Sequence, residues 1–264
     1  MILANHGIIS SSGGVLYDAD ALAFMTAASI TDNTQKTAVN TLVTDLKTYN
    51  IWTKMKAIYP FVGGSATSHK WNLKDPRDLD VAFRLTFNGG WTHSATGALP
   101  NGTTGYADTY SSHITDNSSI WYYSRTNNTT NSIEMGVYNN PYSDTLIHGY
   151  FNTLTNLGIK ANTGGYVLYT STTSAGFFGA NRTSNVLLNG WHNGVKKGTN
   201  TNASSLDAIT KSIWLGGYNS NAGLAAPSNK EAAFASICDG LTDTEAENLY
   251  TAVQEFNTTL SRQV

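Results

Sequence analysis

Between Asp80 and Lys230 the chain carries a single glutamate, Glu134, in the run Ser132-Ile-Glu-Met-Gly-Val-Tyr138. A retaining glycosidase needs two carboxyl groups about 5 Å apart, and on one strand they must share a face at even spacing. Gly136 stands where the partner acid would have to be, so Glu134 reads as a lone, outward, solvent-facing strand residue. Only a meeting with Asp144 or Asp108 would restore hydrolytic chemistry. Serine is plentiful, but no Gly-x-Ser-x-Gly elbow is present. Cys238 closes the apolar run Phe234-Ala-Ser-Ile-Cys238 and reads as a core thiol. His69, His93, His113, His148 and His192 are spread without a tight ligand pair, and no calcium-loop spacing occurs. Asp108 and Asp116 are read as turn residues, with a loop calcium as the alternative. The expectation is no catalytic residue, no metal and no cofactor.

Four aromatics sit in settings suited to sugar recognition, where a ring lies against the apolar face of a saccharide and neighbouring amides or carboxylates bind its hydroxyls. They are Trp91 after Gly89-Gly90, Tyr142 in Asn139-Asn-Pro-Tyr142, Trp191 before His192-Asn193, and Tyr218 in Gly216-Gly-Tyr-Asn-Ser-Asn221. With Asn193 they form the candidate carbohydrate-binding set. The competing reading is that aromatics near strand ends close a core.

The elements that must position these residues change character along the chain. Residues 1–17, with Ser10-Ser-Ser-Gly-Gly14, read as a flexible arm. In residues 18–64, Thr31 or Asp32 offers an N-cap, and Val39, Leu42, Val43, Leu46 and Tyr49 repeat at three- and four-residue steps, predicting an amphipathic helix that packs on the β domain C-terminal to it. Asn50 reads as a left-handed cap, and Ile51 to Met55 as one more helical turn. Residues 65–80 form a charged connector. From residue 81 the period switches to two: Val81, Phe83, Leu85 and Phe87 alternate with polar neighbours, and short runs separated by Asn, Gly and Ser clusters continue to residue 239. His192-Asn193-Gly194 has hairpin character. Residues 240–264 return to helix, with capping-box spacing in Thr242-Asp-Thr-Glu245 and an apolar stripe from Ala246 to Leu260.

Composition agrees with a mainly β chain. Charged residues make up 13% of the 264, the net charge is −2, and 27 Asn and 35 Thr stand against 5 Glu and 5 Pro. Such a mixture favours strands and tight turns. The scattered Lys and Arg make no basic stripe, which argues against nucleic-acid binding. No apolar run approaches the roughly twenty residues of a membrane span. Met1 to Leu16 lacks the features of an export signal, and one cysteine excludes an internal disulfide. The fold class expected is therefore an antiparallel β-sandwich with a helical N-terminal cap and a C-terminal helix.

Phe83-Arg-Leu-Thr-Phe-Asn-Gly-Gly-Trp-Thr-His-Ser94, Pro100-Asn-Gly-Thr-Thr-Gly-Tyr-Ala-Asp-Thr109 and the ending from Asp239 to Phe256 resemble the concanavalin A-like (laminin G-like) jelly-roll modules of tailed-phage virion proteins. The helical lead-in Asp18 to Gly64 is similar to sequences preceding such modules. The resemblance spans about residues 18–264. It implies a jelly roll and a non-enzymatic virion structural protein, made in the host cytoplasm, attached to capsid or tail partners and arranged as a homo-oligomer or symmetric assembly. The alternatives are a glycan-binding adhesin, recognising a cell-surface glycan, and, less favoured, a glycan-degrading enzyme.

Overall fold

The structure is a computed structural model that describes residues 16–139, 143–149, 154–161, 165–205 and 208–264. The arm expected over residues 1–17 lies outside these residues as far as position 15.

Two helices come first, α1 (Ala19–Ala27) and α2 (Asn33–Thr48). Asp32 caps α2 by accepting from the Gln35 N–H, and Asn50 adopts φ 59° after its end, so both boundary signals act as the sequence implies. A 3-10 turn at Trp52–Lys54 leads into strand β1 (Met55–Tyr59), where the sequence suggested only helix. After the one-turn α3 (Ala66–His69) come β2 (Thr86–Asn88), β3 (Trp91–Ser94), β4 (Gly97–Pro100), β5 (Tyr106–Asp108) and β6 (Ser118–Ser124). Next are β7 (Met135–Asn139), β8 (Ser143–His148), β9 (Leu154–Ala161), β10 (Val167–Thr170) and β11 (Gly176–Ser184). The chain continues through β12 (Leu187–His192), β13 (Val195–Asn200), β14 (Trp214–Leu215), β15 (Tyr218–Ser220), β16 (Gly223–Ala225) and β17 (Ala232–Cys238), and ends in helix α4 (Asp243–Thr259).

The strands form two sheets. The first runs β13-β12-β11-β6-β17-β4-β3, with β1 also paired to β17; the second runs β10-β9-β8-β7-β14-β5-β2, with β15 beside β7 and β16 beyond it. Among the described residues every pairing is antiparallel except β15 with β7. The protein is thus a mainly β, antiparallel sandwich with helices at both ends of the chain. The turn Asn193-Gly194 joins β12 and β13 with both residues at positive φ, 49° and 72°, the conformation of a two-residue hairpin turn.

Alternation within β6 shows how the layers arise. Ile120 and Tyr122 face the second sheet and join the inter-sheet core with Val137, Ile147, Leu157, Phe178 and Leu215. Trp121 and Tyr123 point the other way, into a second core with Phe177, Trp191 and Phe234 that α2 and α4 cover. Helix α4 begins at the capping box formed by Thr242 and Glu245 and lays Leu249, Val253 and Phe256 on that face, while Val39, Leu42, Val43 and Leu46 of α2 complete the layer. Each such fully buried side chain contributes about 1.5–3 kcal/mol of transfer free energy. Arg262, buried, ties the chain end down by donating to the carbonyls of Pro60, Phe61 and Ala233.

One strand expectation fails. Residues 80–82 form a 3-10 turn, Phe83 has φ 60°, and Val81 is 76% exposed; only Thr86–Asn88 is strand. Contacts remote in sequence override the period-two pattern. Tyr59 donates its hydroxyl hydrogen to the Phe83 carbonyl, Asn72 Nδ2 donates to the Ala82 carbonyl, and the Leu85 N–H donates to the Lys70 carbonyl.

Candidate functional site

Among the described residues no helix packs on the outer face of the second sheet, and alternation decides what that face carries. Met135 and Val137 of β7 are inward, so Tyr138 is outward, directly across from Asp144 of β8. Leu215 is inward, so its neighbour Trp214 is outward; Ala107 is inward, so Tyr106 is outward. Tyr106 and Trp214 stack with ring centroids 3.9 Å apart and planes 19° apart. Tyr218, paired with Gly136 of β7, meets Tyr138 edge to face at 6.3 Å. Tyr166 lies over Gly158 of β9 and donates its hydroxyl hydrogen to Asp144 Oδ2.

All five rings are partly exposed. They form a row across the sheet: Tyr106 and Trp214, then Tyr218 and Tyr138, then Asp144 with Tyr166. Asp144 Oδ1 is buried and has no hydrogen-bond partner, and Trp214 Nε1 is in the same condition. Burial raises the Asp144 carboxyl above the ordinary carboxylate range, opposed by the hydrogen bond from Tyr166. Burial, reinforced by Asp144, raises the Tyr166 phenol, so it stays a neutral donor.

The residues singled out from sequence are dispersed. Tyr218 belongs to the aromatic row. Trp91 is half-buried on the first sheet's β3, donates Nε1–H to the carbonyls of Asn88 and Tyr106, and packs against Phe87 and His93. Trp191 is 1% exposed and belongs to the core beneath α4, because the helix covers the strand face from which it projects. Asn193 holds the hairpin turn, its Oδ1 accepting from the Phe177 N–H at 2.7 Å. Tyr142 lies outside the described residues. Tyr106, Tyr138, Tyr166 and Trp214 escaped sequence reading, although the inward Met135-x-Val137 and Leu215 are the alternation signals that place two of them outside.

Of the other chemistry-bearing residues, Glu134 and the histidine pair are placed differently than expected. Glu134 is not solvent-facing: at 1% exposure it pairs with Lys230, itself 0% exposed, at 2.7 Å. Its second oxygen accepts from the Gly149 N–H, and Ser132 donates to the first. Lys230 also donates to Ser132 Oγ and to the carbonyls of Thr130 and Gly149. Period-two reading misses this because the covering lysine lies about a hundred residues away in sequence. His69 and His93, two of the histidines read as spread without a tight ligand pair, meet Nδ1 to Nδ1 at 2.9 Å. Among the described residues no group of three His, Cys, Asp or Glu gathers for a metal. Asp108 accepts from the Tyr110 N–H as a turn residue, and Asp116 is bound by Ser204 and Lys160. Cys238 is buried with its thiol pushed up to about 12, chiefly by desolvation.

No family model matches the sequence, and no curated protein matches it. Solved structures do share its fold. Domain 4 of AbnA, an extracellular GH43 arabinanase of Geobacillus stearothermophilus in complex with arabinotriose, is 15% identical with a TM-score of 0.51, over 74% of this chain and 98% of that one. A mutant Trypanosoma rangeli sialidase displaying trans-sialidase activity is 10% identical with a TM-score of 0.52, over 82% of this chain and 39% of the sialidase. The CBM40 of the Ruminococcus gnavus IT-sialidase, bound to α2,3-sialyllactose, is 11% identical with a TM-score of 0.40, over 62% of this chain and 93% of its own. The sandwich expectation stands. The expected role does not: the fold's counterparts here are an arabinanase domain and a sialidase rather than capsid or tail subunits, so the reading as a phage virion structural protein with virion partners is set aside.

Proposed function

We propose that the protein is a carbohydrate-binding domain whose ligand lies along the bare outer face of the second sheet, and that it binds without cleaving. The observation that carries this reading is the gathering of Tyr138, Tyr166 and Tyr218 around Asp144, beside the stacked Tyr106–Trp214 pair. Rings supply apolar platforms for pyranose or furanose faces, and the partly exposed Asp144 supplies a carboxyl group to which a sugar hydroxyl can hydrogen-bond. Among the described residues the row itself holds the carboxyl group of Asp144 and no lysine or arginine, so neutral sugars fit and anionic ones meet like charge. Solved proteins of this fold include a domain holding arabinotriose, which agrees with a neutral saccharide.

Binding without hydrolysis is supported by the partners of the acids. Glu134 is occupied by Lys230, and Asp144 faces a tyrosine rather than a second carboxyl group. The test is an array of neutral oligosaccharides, including arabino-, galacto- and gluco-oligomers, probed with the protein and with Trp214→Ala and Tyr218→Ala variants checked for folding. Binding lost in the folded variants supports the reading; absence of binding across the array refutes it. Release of shorter products on prolonged incubation would refute the non-catalytic part alone.

A further inference from the structure

A second concavity lies where the free edges of the two sheets approach each other. It is a groove of about 430 Å³ between edge strand β10 with the loop after it and the β12–β13 hairpin, lined by Tyr169, Ser171, Thr173, His192, Asn193 and Lys197 among others. That volume accommodates one or two sugar residues, toward the small end of the range for ligand pockets.

The polar groups of the groove are biased toward donors. Asn193 Oδ1 is already engaged by the Phe177 N–H, which leaves its amide NH2 as the group on offer. His192 stacks on Phe178 at 4.1 Å and donates Nε2–H to the Ala175 carbonyl. Lys197 holds its ammonium 6.0 Å from the centre of the Tyr169 ring. Its neighbour in sequence, Lys196, is neutralised by Asp243 at 2.5 Å, whereas Lys197 has no carboxylate within ion-pair distance among the described residues. Among the described residues no Asp or Glu lines the groove. Successive strand residues point to opposite sides, so the same hairpin turns one lysine toward helix α4 and the other toward the groove.

We propose that this groove is a second, chemically distinct binding site for an anionic sugar residue, its carboxylate against Lys197 and the Asn193 amide and its ring against Tyr169. A lysine poised over an aromatic ring without an acid gives a cationic, partly apolar site, which is the complement of a uronate-type ring and the opposite of the acidic outer face. The site does not depend on the function proposed for that face.

The probe is digalacturonate, with the neutral galactose disaccharide as control, titrated at low ionic strength by calorimetry and by amide chemical-shift mapping of the whole chain. Digalacturonate is expected to bind with shifts centred on Tyr169, Asn193 and Lys197, to weaken at least tenfold in Lys197→Gln, to recover in Lys197→Arg, and to be unaffected by Asp144→Asn. The proposal is overturned if digalacturonate does not bind at millimolar concentration, if the neutral disaccharide perturbs the groove equally, if Lys197→Gln binds as the parent does, or if the shifts map to Tyr218 and Asp144. In the last case the outer face is the sugar site for both ligands.

Discussion

The two sheets present aromatic outer faces of similar composition and opposite fate. On the first, Trp121, Tyr123, Phe177, Trp191 and Phe234 lie under α2 and α4 and are buried to within a few per cent. On the second, Tyr106, Tyr138, Tyr166, Trp214 and Tyr218 meet each other but, among the described residues, no covering helix, and each stays partly exposed. In the first set Trp121 Nε1 donates to Ser119 Oγ and Tyr123 donates to Gln254, while Trp191 Nε1 is buried without a partner among the described residues. The second likewise leaves Asp144 Oδ1 and Trp214 Nε1 unmatched among the described residues, so exposure of the rings is what separates the two faces. An aromatic strand face is therefore core or ligand platform according to what the rest of the chain lays over it. The helices near the two ends of the chain are what make the first sheet a covered structural layer and leave the aromatic row of the second partly exposed.

The sharpest way to break this comparison is to truncate one tryptophan from each face. Trp191→Ala should lower unfolding free energy by about 3–5 kcal/mol, because the cavity under α4 cannot collapse fully. Trp214→Ala should cost less than about 2 kcal/mol and act on ligand binding instead; denaturant titration of both variants decides, and equal losses would erase the distinction. Next in size is the ion pair at the entrance to β7, the strand in the middle of the bare face. Lys230→Met leaves Glu134 buried without its cation and should destabilise by about 3–5 kcal/mol, while adding Glu134→Leu should restore most of the loss. A double variant no more stable than the single one would show that the pair is not the origin of the effect.

Acid should act on the interior. Burial lowers His69 to about 3, helped by the adjacent His93, and lowers His192 to about 4. Both are depressed from 6.5, so the unfolded chain takes up more protons than the folded one below that pH. Their contribution is complete above about pH 6.5 and is lost as pH falls toward 4 and then 3, with a slope of up to about 1.4 kcal/mol per pH unit for each imidazole. Denaturant midpoints measured from pH 7 to pH 4 should fall accordingly, and His192→Phe should flatten the curve; an unchanged slope would place the acid sensitivity elsewhere. The smallest effect expected is at the bare face itself. Asp144→Asn keeps the shape of the site but removes the charge, and should weaken a neutral oligosaccharide by about tenfold, near 1.4 kcal/mol, with stability nearly unchanged. Unaltered affinity would remove Asp144 from the site.

Local signals in the sequence were accurate where short-range chemistry decides the outcome. Asp32 and the Thr242–Glu245 box satisfy N–H groups at the first turns of their helices, Asn50 accepts a left-handed conformation, and Asn193-Gly194 turns the hairpin. Cys238 is buried as its apolar neighbours imply. The site was far less legible. Of the aromatics chosen from loop-like settings, Tyr218 joins the row while Trp191 lies beneath α4, since nothing local to Trp191 tells which face of β12 a helix some fifty residues later will cover. Val81 to Phe87 alternated like a strand, yet Asn72, Tyr59 and Lys70 hold that segment otherwise.

Composition, periodicity and capping thus determined that the chain would form many short strands between terminal helices, because turn chemistry and side-chain alternation operate over a few residues. The tertiary structure alone decided that Glu134 would meet Lys230, that three tyrosines would converge on Asp144, and that Lys197 would face a groove without an acid. Those outcomes depend on strand order and on which sheet face is covered, and both are set by contacts between segments far apart in sequence.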